Sequence, residues 1–299
     1  MACYSPLKAF KRDDGSVVFH DGAKGGGGLP LSLPCGQCIG CRLERSRQWA
    51  VRCLHESKCY DENCFLTLTY DDDHLPLRND LNYSDFQLFM KRFRKYAAPK
   101  RLRFYMCGEY GPENGRPHFH ACIFGFNFPD RKPFKLLQSN CQIFKSKALE
   151  ELWPFGFSSI GAVTFESAAY VARYCVQKVT GDAAKEHYKR VDPDTGEVYA
   201  LTPEFNKMSL KPGIGAPWLD RFGSDVFRGD EVIIRGKSCK PPRYYDKILD
   251  SSNHDRVLSN LVDRELKAWD SRSDNTPDRL AVKEQIANTR FNLHSRKEL

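Results

Sequence analysis

The chain has 299 residues, room for one large domain or two small ones. Its 46 Lys and Arg against 38 Asp and Glu give a formal charge of +8, and 41% hydrophobic with 28% charged residues supplies a core and excludes wholesale disorder. No apolar run approaches the roughly 18 residues that span a bilayer, and residues 1–14 lack the apolar segment of a secretory signal, so neither membrane nor export is expected.

Residues 1–34 read as irregular, with Gly25-Gly26-Gly27-Gly28 as a flexible loop. No Gly-Lys-Ser/Thr follows it at phosphate-loop spacing. Gly236-Lys237-Ser238 fails as well, because Glu231 stands where the first glycine belongs and Pro241-Pro242 blocks a following helix. No ATP-driven engine is legible.

Twelve cysteines without a secretory signal point to reduced thiols. Cys64, Cys107 and Cys122 lie in apolar segments and are expected to be small buried hydrophobes. Cys35, Cys38 and Cys41 repeat the CxxC spacing of a structural zinc site, whose fourth ligand would come from Cys53, His55, Cys59 or Cys64. Plain free thiols are the alternative. An iron–sulfur run is incomplete, since the closing C-x3-C-P is missing.

Residues 42–57 read as a helix, with Leu43, Trp49, Ala50, Cys53 and Leu54 on one face. Residues 65–70 read as a strand stopped by Asp71-Asp72-Asp73. Ser84 caps a helix to about Tyr96 with Phe86, Phe89, Met90 and Phe93 as its core stripe. Lys91, Arg92, Arg94, Lys95, Lys100, Arg101 and Arg103 follow without an intervening acid. With Phe93, Tyr96, Phe104 and Tyr105 interleaved, they suit phosphate contacts and base stacking, or else a solvated basic face. Two strands, 103–110 and 118–126, flank a Pro/Asn/Gly turn, and a helix covers about 166–179. Residues 180–250 resist assignment, and the last 49 suggest one or two solvated helices. This order gives an α+β fold: an antiparallel sheet with helices on one side, a Cys-rich N-terminal segment and a helical C-terminal tail. The expected divisions are 1–58, 59–182, 183–250 and 251–299.

His118 and His120 share one face of their strand, with Phe119 on the other. A tight turn at Asn114-Gly115 would set Glu109 opposite His120 on that face. Two imidazoles and a carboxylate would hold a divalent cation; two half-exposed histidines on an ordinary strand are the other reading. In the helix, Tyr170, Tyr174 and Lys178 recur every fourth residue, roughly opposite the apolar stripe of Ala168, Val171, Ala172, Cys175, Val176 and Val179. They either pack at a second interface or serve chemistry. A phenol, with its pKa near about 10, needs activation to attack a phosphodiester. The cation would stabilise charge at phosphorus, and Lys178 would pair with charge developing there.

Three segments in order, Phe65-Leu-Thr-Leu-Thr-Tyr-Asp-Asp, then Gly108-Glu-Tyr-Gly with Arg116-Pro-His-Phe-His, then Tyr170-Val-Ala-Arg-Tyr-Cys-Val-Gln-Lys, resemble the HUH endonuclease superfamily. The Cys-rich Pro34–Arg42 segment and Met208-Ser-Leu-Lys-Pro-Gly-Ile-Gly resemble its gokushovirus branch, the replication initiators of small single-stranded DNA phages. The resemblance implies an RRM/ferredoxin-like endonuclease core over 59–182. It implies rolling-circle nicking and joining of single-stranded DNA at an origin, through a covalent 5′-phosphotyrosine. Tyr170 and Tyr174 would alternate as nucleophiles with Lys178 beside them, and Glu109, His118 and His120 would hold Mg or Mn. Thr67, Thr69, Lys91, Arg92, Arg94, Lys95, Arg101, Arg103 and Arg173 would contact DNA. The implied partners are a host helicase and DNA polymerase, in the cytoplasm of a host bacterium. Two other readings stay open: a non-catalytic zinc-containing DNA- or RNA-binding protein, and a relaxase or transposase acting on a plasmid or insertion element.

Overall fold

The computed structural model of the chain describes residues 3–19, 28–111, 114–137, 140–177, 179 and 181–295. Two compact units separate: Met1–Arg45 with Asp250–Leu299, and Ser46–Leu249.

In the first unit, β1 (Leu7–Lys11) pairs antiparallel with β2 (Val17–Val18) and β3 (Leu29–Leu33), in the order β2-β1-β3. Helix α1 (Ile39–Ser57) starts in this unit and ends in the second.

The second unit is built on a sheet. Its strands are β4 (Asn63–Tyr70), then, after α2 (Tyr83–Ala97), β5 (Arg103–Tyr110), β6 (Pro117–Phe124), β7 (Lys132–Leu136) and β8 (Gln142–Lys145). Helix α3 (Lys147–Leu152), β9 (Gly156–Gly161) and α4 (Phe165–Gln177) follow. A small helix α5 (Asp182–His187) and the ribbon β10 (Lys189–Val191) with β11 (Val198–Ala200) lead to β12 (Phe205–Met208). Among the described residues the strand order is β12-β5-β6-β4-β9-β8-β7, with every neighbouring pair antiparallel. The segment that resists assignment from sequence thus supplies an edge strand. It continues through α6 (Ala216–Gly229), the ribbon β13 (Val232–Ile234) with β14 (Lys237–Cys239), and α7 (Arg243–Asp250). Helices α8 (His254–Asp270) and α9 (Pro277–Ser295) complete the chain, as the charged tail suggests. Among the described residues no helix is long and apolar enough to cross a membrane.

Strand alternation sorts the core. Phe119, Ala121 and Ile123 of β6 face α2 and α3, where Phe86, Phe89, Met90, Phe93, Leu149, Leu152 and Trp153 pack. Each fully buried side chain there contributes roughly 1.5–3 kcal/mol of transfer free energy. The cap of α2 is Asn82 rather than Ser84: its side-chain oxygen accepts from Ser84 N at 3.1 Å. The other face of β6 carries His118, His120, Cys122 and Phe124. There Ala50 and Cys53 of α1 and Ala168, Val171 and Ala172 of α4 close on Tyr105, Cys107, Cys122 and Phe124. The α+β fold with an antiparallel sheet is as expected. The helices, expected on one side, cover both, because β6 is apolar on both faces and each face needs a partner.

Arg103 corrects an expectation. It does not face DNA, because it is 3% exposed and its Nε donates to Glu56 Oε1 at 2.5 Å. Its second guanidinium arm donates to Pro212 O at 2.7 Å, and Glu56 Oε2 accepts from Gly215 N at 2.6 Å. A buried charge is tolerable only when paired and hydrogen-bonded in this way. Arg103 is a core ion pair tying β5 to α1 and to the turn before α6.

Candidate active site

The β5–β6 hairpin sets the site. Its turn closes where Gly111 N donates to Arg116 O at 2.9 Å, and Gly115, at φ +58, donates to Gly111 O at 3.0 Å. This turn is wider than a two-residue Asn114-Gly115 turn, so the register differs from expectation by two residues. Glu109 pairs with His118, and Cys107 with His120. A slip of two keeps every side chain on its face, whereas a slip of one would have reversed the strand. Glu109 therefore still joins both histidines.

Glu109 Oε1 lies 2.6 Å from His118 Nε2 and 2.9 Å from His120 Nε2. The far nitrogens are also held. His118 Nδ1 donates to Arg116 O at 3.0 Å, and His120 Nδ1 lies 3.0 Å from the Thr67 hydroxyl. Such outer partners fix ring orientation and tautomer in metal sites. Burial favours the uncharged Glu109 carboxyl, but the bonds from His118 and His120 outweigh it and hold the pKa below its ordinary value. Burial likewise opposes charge on both imidazoles. At His118 the Glu109 bond prevails and raises the pKa; at the deeper His120 burial prevails and lowers it.

A divalent cation fits these groups. The three donor atoms lie within 4.8 Å of one another, and Glu109 Oε2 is buried with no hydrogen-bond partner among the described residues. A bare carboxylate oxygen in the interior is costly, and a cation would satisfy it. Two nitrogens and carboxylate oxygen suit Mg, Mn or Zn chemistry.

Thr67 lies opposite His120 and Thr69 opposite His118 in the β4–β6 pairing, both half-buried on the histidine face. Thr67, expected at DNA, thus touches a histidine instead. Tyr170 of α4 sits over the same face, half-buried, with its ring 5.1 Å from that of His120 at 87°. Arg173 and Tyr174 belong to α4, but their side chains, like the whole of Lys178, lie outside the described residues.

The basic cluster does not join this group. Lys91, Arg94 and Lys95 are exposed on α2, which packs on the opposite face of the sheet through Phe86, Phe89 and Phe93. Arg92 is half-buried and donates to Leu152 O at 3.0 Å. Arg101 is exposed and reaches Lys211 O at 3.3 Å.

Two partners escape the sequence reading. The link from Thr67 to His120 becomes visible only once residues 63–70 are paired against the histidine strand. Asn206 of β12, whose Nδ2 donates to Val171 O at 3.2 Å, joins the sheet edge to the tyrosine helix and carries no local signal.

The cysteine cluster also differs from expectation. Cys3 joins Cys35, Cys38 and Cys41, and their sulfurs all lie within 4.8 Å of one another. The four suggested partners serve elsewhere: Cys53 and Cys64 are in the core, Cys59 Sγ donates to His55 O at 3.7 Å, and His55 bonds Tyr245.

An antiparallel sheet with two histidines and a glutamate on one face, under a helix bearing tyrosine, defines an α+β protein with a candidate divalent-metal centre. Residues 63–179 match the family model described as replication-associated protein ORF2. Replication-associated protein VP4 of Bdellovibrio phage phiMH2K is 33% identical over 291 residues, covering 93% of this chain and 88% of the relative. Replication-associated protein ORF2 of Spiroplasma virus 4 is 32% identical over 243 residues, covering 77% and 72%. Replication-associated protein ORF4 of Chlamydia phage 1 is 29% identical over 228 residues, covering 73% and 53%. No solved structure matches. The chain belongs to this family of phage replication-associated proteins, as a replication initiator of the gokushovirus type.

Proposed function

We propose that the chain is an HUH-type DNA strand transferase that cuts one strand at a phage origin and keeps the new 5′ end on a tyrosine. The observation that carries this reading is Tyr170 standing over the Glu109, His118 and His120 cluster, 5.1 Å from the His120 ring. Bound Mg2+ or Mn2+ supplies Lewis-acid polarisation of the scissile phosphate. Glu109, His118 and His120 hold it on rigid strands, and Tyr170 is the first nucleophile.

In the cut, the Tyr170 phenolic oxygen bonds to phosphorus and the bond from phosphorus to the 3′ oxygen breaks. The phenolic proton leaves to solvent, and the departing 3′ alkoxide takes one up. One phosphodiester replaces another, so the step is close to balanced and reversible. A free 3′ hydroxyl attacking the phosphotyrosine rejoins the strand. Tyr174 would make the second cut and Lys178 would pair with charge at the phosphate. Lys91, Arg94, Lys95 and Arg101 contact DNA away from the scissile bond, on the other side of the sheet. The free 3′ end primes a host polymerase, and a host helicase opens the duplex, in the bacterial cytoplasm.

The test is a denaturing gel of the full chain with single-stranded oligonucleotides covering its phage origin, with Mn2+ or Mg2+. A covalent DNA adduct that needs metal and disappears in His118→Ala and in Tyr170→Phe/Tyr174→Phe is expected. DNA retained only under native conditions, with no covalent band on any oligonucleotide, would reject the reading in favour of a binding protein.

A further inference from the structure

Cys3, Cys35, Cys38 and Cys41 form a four-sulfur group in the first unit, separate from the chemistry proposed above. None of the four is in a disulfide. Cys3 and Cys38 bring their sulfurs to 3.9 Å. Zinc bound tetrahedrally at about 2.3 Å to each sulfur sets sulfurs roughly 3.8 Å apart, so this is the edge such a site needs. An iron–sulfur cube interposes its own body between the thiolates and would spread them beyond the 4.8 Å found for this group.

The backbone also serves these sulfurs. Gln37 N and Cys38 N point to Cys35 Sγ at 3.4 and 3.3 Å, Cys35 N to Cys3 Sγ at 3.3 Å, and Tyr4 N to Cys38 Sγ at 3.3 Å. Amide donors aimed at sulfur stabilise thiolates, the form that binds metal. Gly36, at φ +75 with open space where a Cβ would stand, makes the knuckle between Cys35 and Cys38. Cys38 and Cys41 lie at the start of α1, where the helix dipole favours negative charge. The pairing of β1 with β3, Leu7 opposite Leu33, returns the N-terminal residues to the second and third cysteines.

We infer that Cys3, Cys35, Cys38 and Cys41 bind one structural Zn2+ that clasps the N-terminal segment to the start of α1. Each thiol releases its proton to solvent as its sulfur binds. The site has no open position for substrate, so its role is stability.

The experiment uses the full chain and two probes, zinc and Co2+. The chain purified from zinc-containing medium is expected to keep one zinc through EDTA dialysis and to release it on titration with a mercurial thiol reagent. Exchange with Co2+ is expected to give the thiolate-to-cobalt charge-transfer band and the strong visible bands of a tetrahedral sulfur site. Glu109→Gln is expected to keep these bands, which separates this metal from the one at the histidines, and Cys3→Ala is expected to lose or shift them. The wild-type titration needs no variant to fold. A wild-type chain with no mercurial-releasable zinc and no thiolate–cobalt band overturns the inference. So does iron in place of zinc, or a folded Cys3→Ala chain with unchanged bands.

Discussion

Tyr170 meets His120 edge-on, ring centroids 5.1 Å apart and planes at 87°, so the nucleophile is held against a proposed metal ligand before DNA arrives. Removing the phenolic oxygen alone should leave the metal in place. Tyr170→Phe is expected to bind Mn2+ as the wild type does and to lower formation of the covalent complex at the first cut by at least about 100-fold. Calorimetry with Mn2+ and a denaturing gel check the two halves. Wild-type adduct yield would transfer the first cut to another residue.

Thr67 holds the far nitrogen of His120 at 3.0 Å. Thr67→Val keeps the shape of the side chain and removes the hydroxyl. Metal affinity is expected to fall about 10–100-fold, with activity restored by raising Mn2+. If Thr67 contacted only DNA, the metal isotherm would not move.

The Glu56–Arg103 pair is 0% and 4% exposed at its side chains. Glu56→Gln or Arg103→Met alone leaves one buried charge without its partner, and each is expected to cost about 3–5 kcal/mol in urea denaturation. The double variant should cost less than the sum of the two. Strict additivity would mean that the pair does not act as a unit.

His55 is buried, stacks on Trp218 with centroids 3.5 Å apart, and lies 2.8 Å from the Tyr245 hydroxyl through Nδ1. Burial, with a smaller contribution from Lys58, pushes its pKa down from 6.5 to about 3. The unfolded chain takes up a proton below pH 6.5 and the folded chain does not until far lower. The stability due to neutral His55 is therefore complete above pH 6.5 and is lost as pH falls from there toward 3. Its slope approaches about 1.4 kcal/mol per pH unit. Urea midpoints at pH 7 and pH 5 measure it before most carboxylates titrate. His55→Phe should flatten the dependence over this window, and equal slopes in both proteins would assign it to another group.

The site-bearing elements were legible because each rests on local pattern. The alternating His118 and His120, the Thr-rich strand before them and the apolar stripe of the tyrosine helix are one-segment signals, and observed strand and helix bounds lie close to those read from them. What depended on pairing was not legible. The register of Glu109 turned on how wide the turn at 111–116 is, and the partner of His120 on which strand lies beside it. Cys3 stands far upstream of Cys35, and only the β1–β3 pairing joins them. Arg103 looked like one more member of a basic run, because nothing near it in sequence announces Glu56. Composition located the positive charge but not the side of the sheet that carries it.

Strand β12 pairs with β5, Phe205 opposite Gly108 and Met208 opposite Tyr105, and Asn206 reaches the carbonyl of Val171, next to Tyr170. The segment that matches the family model stops at residue 179, short of this strand. A nuclease cut out at that point would expose the outer edge of the strand that carries Glu109, a row of free amides and carbonyls ready to pair with another molecule. It would also release a tether one residue from the nucleophile. The smallest autonomous catalytic fragment is therefore larger than the family segment: it must run past Met208, and excision at the family boundary should yield aggregates rather than a minimal enzyme.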